Sequence, residues 1–378
     1  MIYFDNAATT RILPEVIEEM NKSFEEHWGN PSSTHRQGQK SRAAIEKSRE
    51  AIARLLQVDA KEIIFTSGGA ESNNLILRGA LKVNESKGKH LITSKIEHST
   101  VLKTCQALEK EGYEVTYIDV TERGVIDPEQ LKNAIRNDTV VISVMYVNNE
   151  TGVVQPIDEI AKMIEGKGIV LHTDAIQGVG KEMILPKKQG IHALSAAAHK
   201  FYGPKGTGFL YLDQNYMIEK EITGGSQERN RRSGTENVHG IVGMAKALEI
   251  VYSDMEEEQA KEKEMQIYLE EALKEEICNI KINCGNSRRI SSVVNITLED
   301  CNVQTLMVAL DMEGICVSGG SACMSGAMET SHVLKAMGAS EEDLKSSIRV
   351  SIGRYNTKDE IDIFIQKLKE IVARERAK

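Results

Sequence analysis

The 378 residues are 40% hydrophobic and 27% charged, with a formal net charge of -9 at pH 7. That length exceeds the size at which a single core keeps growing, so two domains are expected, and the acidic balance argues against binding to a phosphate backbone, which calls for concentrated basic surface. The start MIYFDNAATT has no basic stretch followed by an apolar one, the run VVISVMYV is too short to span a bilayer, and the six cysteines show no CxxC spacing; a cytoplasmic protein with free thiols and no zinc site is expected.

Over 16–252, short apolar runs alternate with amphipathic helical patterns, the order of a mostly parallel sheet covered on both faces. The predicted strands are EIIFTS, KHLITS, VTYID, VVISVMYV, GIVLHTD, ALSAA and GTGFLYL, and a helix with apolar residues three and four apart is predicted over 42–56. From Val238, apolar residues at Ile241, Ala245, Leu248 and Tyr252 predict a long helix that continues through DMEEEQAKEKEMQ, a charge run read as a solvated face bridging to a second domain. Beyond it follow a strand (SSVVNITL), a helix (VQTLMVALDM), a glycine-serine segment, a helix (SHVLKAMG), a strand (SSIRVSIG) and a closing helix with Thr357 and Glu360 in capping-box register. The expected division is an N-terminal segment, 1–15, packing with the small domain, a large domain, 16–252, and a smaller α+β domain, 253–378.

Several residues could carry chemistry. In FTSGGAES a strand runs through Gly68-Gly69 into a helical pattern, which would aim backbone N–H groups at an anion such as phosphate; the same turn also occurs without a ligand. Asp174 ends the strand GIVLHTD, with Gln177 close behind, where ligands of such folds gather, although an Asp there also serves as a helix cap. In ALSAAAHKFYGPKG, Lys200 follows a run of small residues, and a Schiff base to an aldehyde cofactor accounts for a lysine held there. His98 follows the strand KHLITS, and Asn148 and Asn149 follow VVISVMYV; a hydrogen-bonded surface histidine and plain turn chemistry are the alternatives. Arg349, between apolar neighbours in SSIRVSIG, calls for a carboxylate from the protein or a substrate. RNRR, 229–232, is a short basic cluster, either a solvated loop or an anion contact. Cys323, in VSGGSACMSG, is a thiol with almost no apolar neighbour, whereas Cys316 in GICV reads as a packed core thiol. Four strand ends thus carry a histidine, an asparagine, an acid and a lysine, which one shared pocket would explain.

In combination and order, YFDNAATT, GNPSSTH, FTSGGAES, EHSTV, VNNETGVVQP, HTDAIQGVGK, AHKFYGPKGTG, GGSQERNRRSGTENV, SGGSACMSG and SSIRVSIGRYNT resemble the cysteine desulfurases of the NifS/IscS type, within the class-V aminotransferase family. The resemblance implies a fold-type I enzyme dependent on pyridoxal 5'-phosphate, working as a homodimer on L-cysteine. By the same resemblance Lys200 would hold the cofactor covalently, Asp174 would pair with its ring nitrogen, Gln177 would bond its ring hydroxyl, and His98 would lie over the ring. Gly69, Ala70 and His199 would bind the phosphate, joined by Thr235 from the other subunit; Asn149 would touch cofactor and substrate, and Arg349, with Asn30, would hold the substrate carboxylate. Cys323 would accept the sulfur as a persulfide and pass it to an acceptor such as an iron-sulfur scaffold; the longer loop form, continuing MSGAMETSH, goes with members that feed such scaffolds. One position departs from the pattern: Ala197 stands where many members carry a phosphate-binding serine. Other readings are a selenocysteine lyase or a plain aminotransferase of the same fold, neither of which needs Cys323, and a sulfur-carrying platform without a cofactor.

Overall fold

The computed structural model describes residues 1–319 and 330–377. Thirteen strands are formed among them: β1 (Ile2–Tyr3), β2 (Ile63–Thr66), β3 (His90–Ser94), β4 (Glu114–Ile118), β5 (Thr139–Ser143), β6 (Val170–Asp174), β7 (Ala193–Ala197), β8 (Gly208–Leu212), β9 (Ile280–Asn283), β10 (Val293–Leu298), β11 (Ile315–Cys316), β12 (Ser318–Gly319) and β13 (Ser347–Ser351). Seven make one sheet in the order β2-β8-β7-β6-β5-β3-β4. The pairs β7-β6, β6-β5, β5-β3 and β3-β4 are parallel, whereas β8 runs antiparallel to both of its neighbours. Every residue of β2, β3, β5, β6, β7 and β8 is buried, as expected where helices cover both faces. Only the edge strand β4 is partly open.

The helices α1 (Pro14–Glu26), α2 (Arg36–Leu56), α3 (Gly69–Val83) and α4 (Ser99–Lys110) precede or cover this sheet. Because β3, β5, β6 and β7 are parallel, their carboxyl ends share one edge, and the end of β2 joins them there because two antiparallel pairings restore its direction. That edge receives the turns into α3 and α4.

The second sheet, β12-β13-β10-β9, is antiparallel throughout. Its core draws on Leu269 and Leu273 from helix Met255–Glu276, on Leu306 and Leu310 from Val303–Met312, and on Ile361, Phe364, Leu368 and Ile371 from Lys358–Arg376. The capping box of that last helix forms, Thr357 accepting from the Glu360 N–H and the Glu360 carboxylate from the Thr357 N–H. Phe4 belongs to this core too, as β1 pairs in parallel with β11.

Two predicted boundaries move, and two expected burials change. The strand in VVISVMYV stops at Ser143, although the Val144 and Tyr146 N–H groups still donate to the β6 carbonyls of His172 and Asp174. The long helix from Val238 breaks at Asp254 into Val238–Ser253 and Met255–Glu276, and the Asp254 carboxylate is drawn off to Arg354 at 2.9 Å. The charged stretch is only partly a solvated face, because Glu262 is buried and ion-paired with Lys181. Cys316 is half-buried on β11 rather than fully packed.

Candidate active site

The edge where the parallel strands end gathers most of the predicted residues. Asp174, the last residue of β6, is 4% exposed. Its Oδ1 accepts the Ile176 N–H at 3.1 Å and its Oδ2 accepts Asn73 Nδ2–H at 2.8 Å. The other Asn73 amide hydrogen goes to Thr100 Oγ1 at 2.9 Å, which in turn lies 2.9 Å from His98 Nδ1. A carboxylate acceptor fixes the orientation of the Asn73 amide, because the flipped form would set oxygen against oxygen. Asp174, Asn73, Thr100 and His98 therefore form one hydrogen-bonded chain. His98 also caps α4, its Nδ1 accepting the Thr100 N–H at 3.2 Å. Burial lowers the His98 pKa first of all; Asp174 works against that shift and Lys200 with it. A neutral ring whose Nδ1 accepts a backbone N–H carries its proton on Nε2.

Lys200 follows β7 in the turn Ala198–Lys200. Its Nζ lies 2.6 Å from the Ala7 carbonyl and 2.8 Å from that of Ala8. Gln177 Nε2–H donates to the same Ala7 carbonyl at 2.7 Å. His199 Nδ1 is 3.2 Å from Thr9 Oγ1, and burial, followed by Lys200 and Lys205, pushes its pKa down to about 4. Arg349, on β13, donates from Nη1 to the Asn149 carbonyl at 2.8 Å and from Nη2 to Asp5 Oδ1 at 2.9 Å. The segment 5–9 thus touches Arg349, Gln177, Lys200 and His199, which the reading of 1–15 as a packing segment did not foresee.

The glycine turn has the form expected of an anion cradle. Gly68 has φ of +149°, a conformation that side chains rarely adopt, and opens α3 at Gly69. Gly208 lies beneath it on β8, so close that a Cβ there would come within 2.7 Å of Gly68 Cα. Ala197 is buried at the end of β7, its Cβ 4.0 Å from where a Gly69 side chain would begin. The first turn of α3 also holds Glu71, whose charge is countered by Arg232 at 2.7 Å. The free N–H groups of a 15-residue helix, a backbone laid open by glycine, a buried carboxylate and a nearby amine fit a phosphorylated aromatic aldehyde with a basic ring nitrogen.

Two residues lie apart. Asn30 is exposed, and its bonds with the Ser32 and Ser33 N–H groups stay within its own turn. Thr235 is exposed beyond the turn Gln227–Asn230. Cys323 lies outside the described residues. RNRR is not a bare loop: Arg229 pairs with the carboxylate of Glu46, Arg232 with that of Glu71, and Arg231 donates to the Lys61 carbonyl. A separate cleft of about 990 Å³, between α1, α2 and helix Val238–Ser253, is lined by Trp28, Lys40 and Glu249 among others and holds none of the predicted residues.

Sequence reasoning missed Asn73 and Asp5. Asn73 was findable, being the polar member of a buried α3 stripe with Gly69, Ile76 and Ala80. Asp5 had no comparable signal.

Fold and site together define a two-sheet α/β protein whose lysine, acid and glycine turn meet at the carboxyl edge of the larger sheet. The chain belongs to the class-V aminotransferase family, whose profile (Aminotransferase class-V) matches residues 2–364. A protein named cysteine desulfurase IscS from Dictyoglomus turgidum is 43% identical over 375 residues, covering 99% of this chain and 95% of the relative. A solved NifS-like protein superposes with a TM-score of 0.93 at 36% identity, covering 98% of this chain and 99% of its own. The structure titled SspA in complex with cysteine gives 0.84 at 37% identity, over 94% of this chain and all of that one.

Proposed function

We propose that the pocket holds pyridoxal 5'-phosphate and removes sulfur from L-cysteine, leaving L-alanine and a persulfide on Cys323; the chain is a cysteine desulfurase. The observation that carries this reading is the meeting of the Lys200 amine, the Asp174 carboxylate and the glycine-opened start of α3 at one sheet edge. The names of the relatives and the cysteine in the SspA title support the choice of substrate.

When bound, the cofactor supplies an electron sink for the pair released at the substrate α-carbon. Lys200 would hold it covalently, and its Nζ would take the substrate α-proton and later return it. Asp174, held by Asn73 and the Ile176 N–H, would keep a proton on the ring nitrogen. Gln177 would bond the ring hydroxyl, and the N–H groups at Gly69 and Ala70, with His199, would hold the phosphate. Arg349 would anchor the substrate carboxylate with help from Asn149, Asn30 could join only if its exposed turn were brought in, and neutral His98 would face the ring with a donor at Nε2. The Cys323 thiolate would attack the substrate sulfur: an S–S bond forms, the C–S bond breaks, the β-carbon takes up a proton, and the proton held at Lys200 Nζ returns to the α-carbon to give alanine. Cysteine and one enzyme thiol in, alanine and one persulfide out, balance without an outside oxidant.

The persulfide then passes to a protein acceptor serving iron-sulfur assembly. The enzyme is a homodimer in which Thr235 reaches the partner's phosphate site, and it works in the cytoplasm. Among the described residues, no helix is long and apolar enough to cross a membrane.

The test is alanine and sulfide release from L-cysteine under a reductant. Wild type should yield alanine and sulfide in equal amounts, with an absorbance near the visible that Lys200→Ala lacks. Cys323→Ser should lose alanine formation from cysteine by about a hundredfold or more, the scale of losing a nucleophile. A Cys323→Ser protein that makes alanine at full rate would point instead to a selenocysteine-type lyase, and a colourless wild type that binds no cofactor would end the reading.

A further inference from the structure

Arg349 is 3% exposed, yet its guanidinium is not fully satisfied. Nη1 is committed to the Asn149 carbonyl and Nη2 to Asp5, while Nε, shut away from water, has no partner among the described residues. A buried donor left unpaired is destabilising, and Nε–H is the neighbour of Nη2 on one edge of a planar fork built for carboxylates. Asp5 places one oxygen on that edge and leaves the fork half filled.

The position of Asp5 is fixed by backbone bonds, so the contact is not a chance meeting of long side chains. The Phe4 N–H donates to the Cys316 carbonyl at 2.9 Å, and the Ser351 N–H donates to the Phe4 carbonyl at 2.7 Å. Asp5 itself bridges in parallel to Ser351, two residues from Arg349 on β13. Two residues further on, the Ala7 carbonyl is held by both Gln177 and Lys200. One short stretch therefore supplies oxygen partners to Arg349 at one end and to the amine at the other.

Resting on the reading of Arg349 as the substrate's carboxylate anchor, we propose that Asp5 is a resident stand-in for that carboxylate, which L-cysteine must displace from Nη2 to engage the Nε–Nη2 edge. Asp5 sets substrate affinity by competition: it keeps a buried guanidinium neutralised between turnovers, and it opposes any incoming anion. Ligands without a carboxylate gain nothing from the exchange, so the same contact sharpens selection for amino acids.

The holoenzyme of Asp5→Asn, which keeps shape and removes charge, tests this. KM for L-cysteine and the dissociation constant of the product L-alanine, measured by calorimetry, should each fall about three- to tenfold, the scale of one partly screened neighbouring charge. The change should lie in KM more than in kcat, and it should vanish when Asp5→Asn is combined with Arg349→Gln, since the cycle isolates their coupling. An unchanged or raised KM in Asp5→Asn, with KM still raised by Arg349→Gln, overturns the stand-in role and leaves the anchor intact. No effect of Arg349→Gln removes the anchor reading, and the inference with it. Should Asp5→Asn fail to fold, Asp5→Glu, one methylene longer and still charged, must keep KM at or above wild type; a lower value overturns the proposal.

Discussion

Glu97 precedes His98 and is wholly buried, its Oε1 accepting from Ser94 Oγ–H at 2.6 Å and the Met145 N–H at 2.9 Å. Burial lifts its pKa to about 8, the two hydrogen bonds resist, and the Asp174 charge adds to the rise. Between the ordinary value of 4.5 and about 8, the folded protein keeps a proton that the unfolded chain gives up. Stability attached to this group therefore falls as pH rises through that window. Glu97→Gln, neutral throughout, should lose this slope, so its melting temperature should gain on wild type between about pH 5 and pH 8; parallel curves would contradict the assignment. Ala197→Ser adds a hydroxyl beneath the glycine turn and should speed cofactor reconstitution, a neutral bond being worth roughly 0.5–1.5 kcal/mol; equal cofactor affinity in both proteins would argue against it. Lysine, acid and histidine were legible because each is costly to hold at a strand end without a task. Asp5 was not, since aspartate is ordinary near turns and only the fold shows what it faces, whereas Asn73 could have been found from its place on the buried face of α3.

Strand ends were readable because a buried parallel strand demands an apolar run with a sharp polar stop. Helix continuity was not: nothing in the pattern across Ser253–Asp254–Met255 forbids another turn, and only the fold shows Arg354, a hundred residues away, pairing with Asp254 at the break. The turn Gln227–Asn230 was equally hidden. Glu228, Arg229 and Asn230 all have positive φ, at 47°, 56° and 64°, a run that non-glycine residues seldom adopt. It is held by Glu228, whose carboxylate meets Arg49 through two bonds at 2.7 and 2.8 Å and also accepts the Phe65 N–H of β2. Removing one partner leaves a buried charge unpaired, so Glu228→Gln should cost about 3–5 kcal/mol in denaturant unfolding; a loss under 1 kcal/mol would count against that role. Gly208→Ala should push on the Gly68 backbone and weaken cofactor retention more than it lowers the melting temperature, which a dialysis assay would reveal.

At the scale of the whole molecule, two sheets with separate cores were legible from the switch between alternating strand-helix order and the later mixed order. We propose the division at 1–15, 16–252 and 253–378. What joins the parts was less visible: Lys181 of the large sheet's side pairs with Glu262 in the helix that leads to the smaller one, and Arg354 clasps both Asp254 and Glu258. These charges sat in a stretch that reads as solvated, because burial is a property of the partner surface and not of the run itself. Glu262→Gln should lower the melting temperature by several degrees, while Glu262→Leu paired with Lys181→Met should recover most of it.

The stretch 5–9 binds Arg349 across 344 positions of chain and Lys200 across 193. On the ribosome residues 5–9 must then wait for β13 before they can settle, because that anchoring strand has yet to emerge. Any nascent chain stopped short of β13 would leave residues 5–9 adrift and its amine without a wall, so this protein can become competent only after β13 has been made.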